Sequence, residues 1–258
     1  MERFMIVSKA DKLDEYMRIS EEYNVSFEIN DFYEPEILDD NKRQEAVIET
    51  YLKRGVPGGS TMHGVFCDIA VFSRDKKIRE VSEWRMQQSM QIAKALGVKG
   101  VVFHTNYNPS LSDEGYVRYF VNSTSEFLSQ LLEAYPDIQL YVENMFETKP
   151  YILEQISLRL DKYSNYGICL DWAHANIFGS GIEEWIQSIA AYVKHIHIND
   201  NDLMNDLHLP VGSGKIKWNQ FFEYYNQYWE HCSILVETEE PCGQRDSLEY
   251  IRKHFGML

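Results

Sequence analysis

The stretch ICLDWAHANIFG, residues 168–179, decides how the chain is read. Ile168, Cys169 and Leu170 read as the end of a buried strand. Asp171 and His174 then stand where the strand gives way to a loop. Aspartate is a poor strand residue. A carboxylate and an imidazole three residues apart at a strand mouth therefore call for a chemical reason.

Outward from this stretch, short β-rich runs alternate with longer segments of helical period. Strands are expected at 4–8, 25–30, 60–63, 100–104, 138–143, 166–171, 193–198 and 233–237. Helices are expected at 12–23, 42–54, 75–96, 113–135, 149–160, 182–192, 218–229 and 245–255. In the third helix Ile78, Val81, Met86, Met90, Ala93 and Leu96 form an apolar stripe, expected to be core. Strands that each feed a helix run parallel through right-handed crossovers. Eight such units in 258 residues predict an α/β fold, a (β/α)8 TIM barrel forming a single domain over 1–258. A doubly wound sheet is the alternative. No glycine-rich phosphate fingerprint follows the first strand, MIVSKAD, which disfavours a dinucleotide-binding version. No Gly/Ser-rich linker marks a domain boundary.

In such a barrel the reactive residues sit at the carboxyl ends of the strands. Strand 3 ends with His63, strand 4 with His104, strand 5 with Glu143 and strand 6 with Asp171, followed by His174. Strand 7 carries His197, the loop after it Asp206 and His208, and strand 8 ends with Glu237. Strand side chains alternate between faces. If Glu143 points inward, Tyr141 does too and Val142 packs outward; His197 pairs in the same way with His195, against Ile196 and Ile198. Taken singly, each residue has a structural reading: a hydrogen-bonded histidine, or a carboxylate capping the next helix. His195, a layer deeper, keeps that reading, and His231 and His254 are ordinary helix or loop residues.

The set is different. Buried carboxylates at one mouth repel one another and protonate unless a cation neutralises them. Carboxylates mixed with imidazoles suit Zn, Mn, Fe or Co. No cysteine belongs to the set, so it is not a thiolate structural zinc site. Asp171 is best read as a metal ligand, and His174 either binds a second metal or hydrogen-bonds a substrate hydroxyl.

The net charge is −15, from 40 acidic against 25 basic residues. Such a field repels nucleic acid and anionic membranes, although bound divalent ions invert it locally. Cys67, Cys169, Cys232 and Cys242 show no CxxC spacing and read as reduced, mostly buried thiols. No apolar run is long enough to span a bilayer, and MERFMIVSKAD has no signal-peptide core. The expectation is a cytoplasmic protein with a small-molecule substrate. The run WNQFFEYYNQYW, 218–229, reads as a crowded core face, with a homo-oligomer contact as the alternative. Gly212 and Gly214 in PVGSGKIKW mark either a turn or a cradle for an oxyanion. Trp172 and Phe66 are either core or an apolar pocket wall.

In order, VENM, ICLDWAHANIFG, HIHINDND and DLHLPVGSGKIKW resemble the xylose isomerase-like TIM-barrel superfamily, over nearly the whole chain. That superfamily holds sugar isomerases and epimerases, and endonuclease IV. Resemblance to the first branch implies one divalent ion, commonly Mn, on Glu143, Asp171, His197 and Glu237. It implies a sugar or sugar-phosphate isomerase or epimerase that removes a proton alpha to a carbonyl through an enediolate. Glu143 and Glu237 are then the acid/base pair. His174 polarises a sugar or polyol substrate that His63, His104, His208 and Glu28 help bind, Asn30 being a further contact. Resemblance to the second branch implies an apurinic-site phosphodiesterase with three zinc ions, adding His63, His104, His174, Asp206 and His208 as ligands. Against that alternative, the nuclease's APY after the strand-3 histidine is here GVF, its ENTAGQG is ENMFETKP, and Lys9, Arg74, Lys149 and Lys215 are scattered.

Overall fold

A computed structural model describes residues 3–179 and 181–258. Eight strands close into a barrel in chain order, with every neighbouring pair parallel. They are β1 (Phe4–Ser8), β2 (Ser26–Ile29), β3 (Thr61–His63), β4 (Gly100–His104), β5 (Gln139–Glu143), β6 (Tyr166–Asp171), β7 (Val193–Ile198) and β8 (Ser233–Val236). The helices are α1 (Leu13–Tyr23), α2 (Pro35–Leu38), α3 (Asn41–Arg54), α4 (Lys76–Leu96), α5 (Glu114–Ala134), α6 (Tyr151–Leu160), α7 (Trp172–Ile177), α8 (Ile182–Ile189), α9 (Trp218–Tyr224) and α10 (Pro241–Phe255). This is a (β/α)8 TIM barrel.

Alternation along the strands divides the apolar residues as expected. Val142, Ile196, Ile198, Ile234 and Val236 join the large core between strands and helices. Two small clusters stand apart from it: Met5, Val7 and Leu235, and Val102, Tyr141 and Cys169. They alternate along the strands with residues of the large core, so they plug the barrel interior. The register sets His104 opposite Glu143, and Asp171 opposite His197. The polar strand ends thus lie above the plug.

Helix starts follow local chemistry. The side chains of Asp40, Asp75 and Asp113 accept hydrogen bonds from the first-turn amides of α3, α4 and α5. α4 ends on Gly97 at φ 69°, a left-handed cap that favours glycine.

Several elements differ from the sequence expectation, among them α8 and α9, which end as α-helices at Ile189 and Tyr224 and run on as a 3-10 and a π-helical turn. α2 has no counterpart among the expected helices, and α10 starts at Pro241 rather than at 245, with proline in its first turn. The segment after β6, read as a loop, is α7. In α4, Met86, Met90, Ala93 and Leu96 are buried, but Ile78 and Val81 are exposed. Ser82 takes the inward place: its hydroxyl donates to Ile78 O and accepts from Ala70 N.

Trp218, Phe221, Phe222, Tyr225 and Trp229 are buried, so the aromatic run is a core face. Trp172 packs edge-on against Phe221 and Trp229 and belongs to that core. Cys169 and Cys232 are buried, whereas Cys67 and Cys242 are exposed free thiols. Among the described residues, no helix is long and apolar enough to cross a membrane.

Candidate metal centre

Glu143, the last residue of β5, is fully buried at the centre of the site. His63 Nε2 and His104 Nε2 approach its Oε2 at 3.4 and 3.3 Å. His197 Nδ1 and His174 Nδ1 approach its Oε1 at 3.4 and 3.7 Å. Burial alone would raise its pKa, but His197 and His104 pull it well below the usual carboxylate range.

Asp171 does two jobs with two oxygens. Its Oδ1 accepts the His174 amide at 2.5 Å and caps α7. Its Oδ2 is buried and without a hydrogen-bond partner. Burial pushes Asp171 up to about 8; His174 offsets part of that, while Glu237 and Glu143 add repulsion. A carboxylate in this position is neutralised by a proton or by a cation.

The third part of the site is carried by the β7–α9 loop. Asp206 Oδ2 lies 3.2 Å from His174 Nε2 and 3.1 Å from His208 Nε2. His208 Nδ1 also approaches Glu237 Oε2 at 3.8 Å, and Glu237 Oε1 stands 3.6 Å from His197 Nδ1. Burial lowers the pKa of His208, but Glu237 and Asp206 more than reverse this and lift it to about 10. Burial would raise Glu237, but His197 and His208 bring it to about 2.

These contacts make up three of the four donor groups among the described residues whose ligand atoms lie within 4.8 Å of one another, the fourth being Cys169, His195 and His197. The three are His63, His104 and Glu143; Glu143, Asp171 and His197; and His174, Asp206 and His208. Glu143 Oε1 and Oε2, Asp171 Oδ2, His104 Nδ1 and His197 Nδ1 are buried polar atoms without hydrogen-bond partners. Unpaired buried donors and acceptors are costly, and carboxylate and imidazole atoms so grouped fit divalent ions. Eight of the nine residues expected at the strand ends and the loop after strand 7 fall in these groups, and Glu237 joins them through His197 and His208.

Glu28 lies elsewhere than expected. It is buried beneath the set, with Oε2 accepting from Thr61 Oγ1 at 2.7 Å and contacting His195 Nε2 at 3.2 Å. His195 sits in that same lower layer, bonded to Ser233 Oγ at 2.7 Å. Phe66 reaches the mouth, with its ring 5.2 Å from His63, 4.8 Å from His104 and 5.0 Å from Tyr33.

Three residues not singled out from sequence support the site. Asn144 clamps the ends of β5 and β6: its amide accepts from Asp171 N and donates to Asp171 O, each at 2.9 Å. Glu147 is buried, accepts from the Thr105 hydroxyl and from Met145 N, and is pushed up by burial. Asp200 accepts from Gly212 N, Ile216 N and Trp218 Nε1, anchoring the loop that carries Asp206 and His208. The amides of Gly212, Ser213, Lys215 and Ile216 are all bonded within the protein, so this loop is a structured turn. At Gly214 a Cβ would fall 2.4 Å from Asn201 O and Asp200 Oδ1. For Asn144 the signal was its place directly after Glu143; for Asp200, its place two residues beyond β7.

Comparison with known proteins agrees with this architecture. The family described as xylose isomerase-like TIM barrel matches residues 26–254. The uncharacterized protein MJ1311 of Methanocaldococcus jannaschii is 29% identical over 207 residues, 76% of this chain and 70% of its own. A probable endonuclease 4 of Mycobacterium leprae is 25% identical over 204 residues, 72% of this chain and 75% of its own. Among solved structures, the TTHB071 protein from Thermus thermophilus, soaked with ZnCl2, has TM-score 0.80 at 20% identity, covering 98% of both chains. A D-tagatose 3-epimerase-like protein has TM-score 0.78 at 24% identity, covering 99% of this chain and 97% of its own.

Proposed function

The chain belongs to the xylose isomerase-like TIM-barrel family, and on that premise we propose a metal-dependent hydrolase of small phosphate esters, built for up to three divalent ions. The observation that carries this reading is the arrangement around Glu143. Its two oxygens face different imidazoles, and it belongs to two of the four donor groups. The one-ion site of a sugar isomerase calls only for Glu143, Asp171, His197 and Glu237. In that reading His63, His104 and His208 serve the substrate, but nothing calls for the Asp206 carboxylate between His174 and His208.

His63, His104 and Glu143 would hold one ion, Glu143 with Asp171, His197 and Glu237 a second, and His174, Asp206 and His208 a third. Divalent ions in such a set supply Lewis acidity toward a phosphoryl oxygen and a lowered pKa for attacking water. The chain's own part is positional. Asn144 and the cap to α7 fix Asp171, and backbone carbonyls orient His63, His174 and His208. The Phe66 and Tyr33 rings wall one side of the mouth against water. Zinc suits the mixed imidazole and carboxylate donors, and the zinc-soaked relative supports that choice. The endonuclease 4 relative supports phosphoester chemistry. A charge of −15 disfavours a long polyanion, which points to a small substrate rather than DNA.

A second reading, a one-ion sugar isomerase or epimerase, is favoured by one observation. Glu143 and Glu237 both stand against His197 Nδ1, where two carboxylates can serve as an acid/base pair. The sugar epimerase-like neighbour is consistent with it. Metal content per chain, with zinc- and manganese-supported assays of bis(p-nitrophenyl) phosphate hydrolysis and ketose epimerisation, separates the two. About three ions and phosphoester cleavage are expected; one ion and epimerisation would overturn the hydrolase.

A further inference from the structure

The histidines of the site are not all aimed in the same way. His63, His174 and His208 each have Nδ1 on a backbone carbonyl, of Gly64, Asn144 and Glu237, at 2.9, 2.9 and 3.1 Å. Each then presents Nε2 to a carboxylate of the site. His197 is reversed. Its Nδ1 faces Glu143 and Glu237, and its Nε2 points down into the barrel. No backbone carbonyl is bonded there; instead Glu28 Oε1 lies 3.2 Å from Nε2, at ion-pair distance rather than in an aligned hydrogen bond.

Glu28 has no route to the mouth. It is 1% exposed and serves two imidazoles at once: Oε2 reaches His195 Nε2, and Oε1 reaches His197 Nε2. Thr61 Oγ1 donates to Oε2 as well, and His195 Nδ1 is tied to Ser233 Oγ. A carboxylate anion only accepts hydrogen bonds. His195 therefore turns its Nε2–H toward it, and the carboxylate 3.2 Å from His197 Nε2 favours the proton of that ring on Nε2 as well. His195 is left with a bare Nδ1, which accepts the Ser233 hydroxyl hydrogen. His197 is left with a bare Nδ1 facing the carboxylates above.

We infer that Glu28 is the positioning residue of the central ion site: it fixes the tautomer and ring direction of His197 so that Nδ1 is the ligating atom. Ser233, His195 and Thr61 hold Glu28 in turn, which makes the chain Ser233–His195–Glu28–His197 the buried support of that ion. Carboxylates behind a metal-binding histidine raise its basicity and lock its ring, and losing one costs roughly 10–100-fold in metal affinity. This role replaces the substrate contact expected of Glu28 from sequence. It rests on the metal reading above, but not on whether the reaction is hydrolysis or isomerisation, since His197 belongs to the central ion in both.

The test is metal binding by Glu28→Gln, measured by chelator competition with zinc and by the visible spectrum of the cobalt-loaded protein. Glutamine keeps the volume and can accept from His195, but its amide N–H₂ cannot accept from His197. Affinity of the tightest site should fall roughly 10–100-fold, and the cobalt spectrum should shift. Thermal melting of the chelator-treated variant checks that the barrel is intact. If Glu28→Gln folds and binds zinc and cobalt as the unsubstituted protein does, the positioning role is wrong. If the unsubstituted protein itself binds neither ion, the metal reading fails instead, and the two failures are told apart. Should Glu28→Gln not fold, Ser233→Ala removes the outermost link with less disturbance; a smaller loss of affinity is expected, and none at all would overturn the chain of support.

Discussion

The site has two halves built on different principles. On the Glu143 side the donors come from strand ends: the side chains of His63, His104 and Glu143 are 4%, 7% and 0% exposed. On the Asp206 side two of three donors come from a long loop, and Asp206 and His208 are 30% and 33% exposed. The strand half is fixed by the sheet register. The loop half is fixed by one buried carboxylate, Asp200, and by backbone geometry that includes His208 at φ 47° and Leu203 at φ 64°. Left-handed backbone is costly for residues other than glycine and tends to mark functional segments. On the proposed metal reading, ions at the deep half would be held more tightly than an ion at the shallow, looped half.

This contrast is sharpest in a pair of substitutions. Glu143→Gln removes a donor shared by two groups, so two ions should weaken together and turnover should fall by roughly three orders of magnitude or more. His208→Ala removes a donor from the loop group alone. One ion should be lost, the other two retained, and turnover should drop by about 10²-fold. Metal content per chain, beside turnover, reads both. If His208→Ala empties all three positions, the halves are one cooperative unit and the contrast fails.

Sequence reasoning reached the two halves unequally, and for a physical reason. Strand ends are readable because alternation assigns faces: Glu143, Asp171 and His197 fall inward once Val142, Ile196 and Ile198 face out. The barrel is legible through the same rhythm, as are the nine polar residues at its mouth. Short elements are not. α7 has six residues, too few for a periodic signal, so Asp171 reads as a ligand while its capping role stays an abstract option. Support residues are hidden because their meaning depends on a partner far away in sequence. Glu28 looks like a substrate contact because the sequence does not show that it lies beneath His195 and His197. The outward turn of Ile78 and Val81 follows from Ser82, whose buried hydroxyl satisfies Ala70 N, and no hydropathy pattern carries that information.

The pH response separates the halves by a smaller margin. Without an ion, Glu237 and Asp206 push His208 up to about 10 from its ordinary 6.5, so between those values the folded chain holds a proton that the unfolded chain has released. Its stabilising contribution is complete below about 6.5 and is lost as pH rises toward 10. Asp171, lifted from 3.8 to about 8, acts in the same direction over a lower window. Ion-free protein should therefore melt at progressively lower temperature from pH 5 to pH 9. Zinc binding has the opposite slope, because its ligands must shed those protons. The rise in Tm on adding zinc should grow across the same range. An ion-free Tm that climbs with pH would mean that neither group holds its proton in the fold.

The smallest effect probes whether the loop half is strained in itself. Leu203 is exposed and left-handed, a conformation that costs an ordinary residue roughly 1–2 kcal/mol and that asparagine tolerates better. Leu203→Asn removes little buried area and relieves part of that cost. It should stabilise the protein by under about 1 kcal/mol, seen as a rise of a few degrees at most in Tm. Affinity at the strand-end ions should not change, because Asp200, rather than Leu203, ties the loop to the barrel. Its effect should appear in the loop ion alone, as slower release once the loop's resting conformation is better populated. A faster release would show that the strained backbone at Leu203 holds the loop closed, and that the shallow half is less freely opened than its exposure implies.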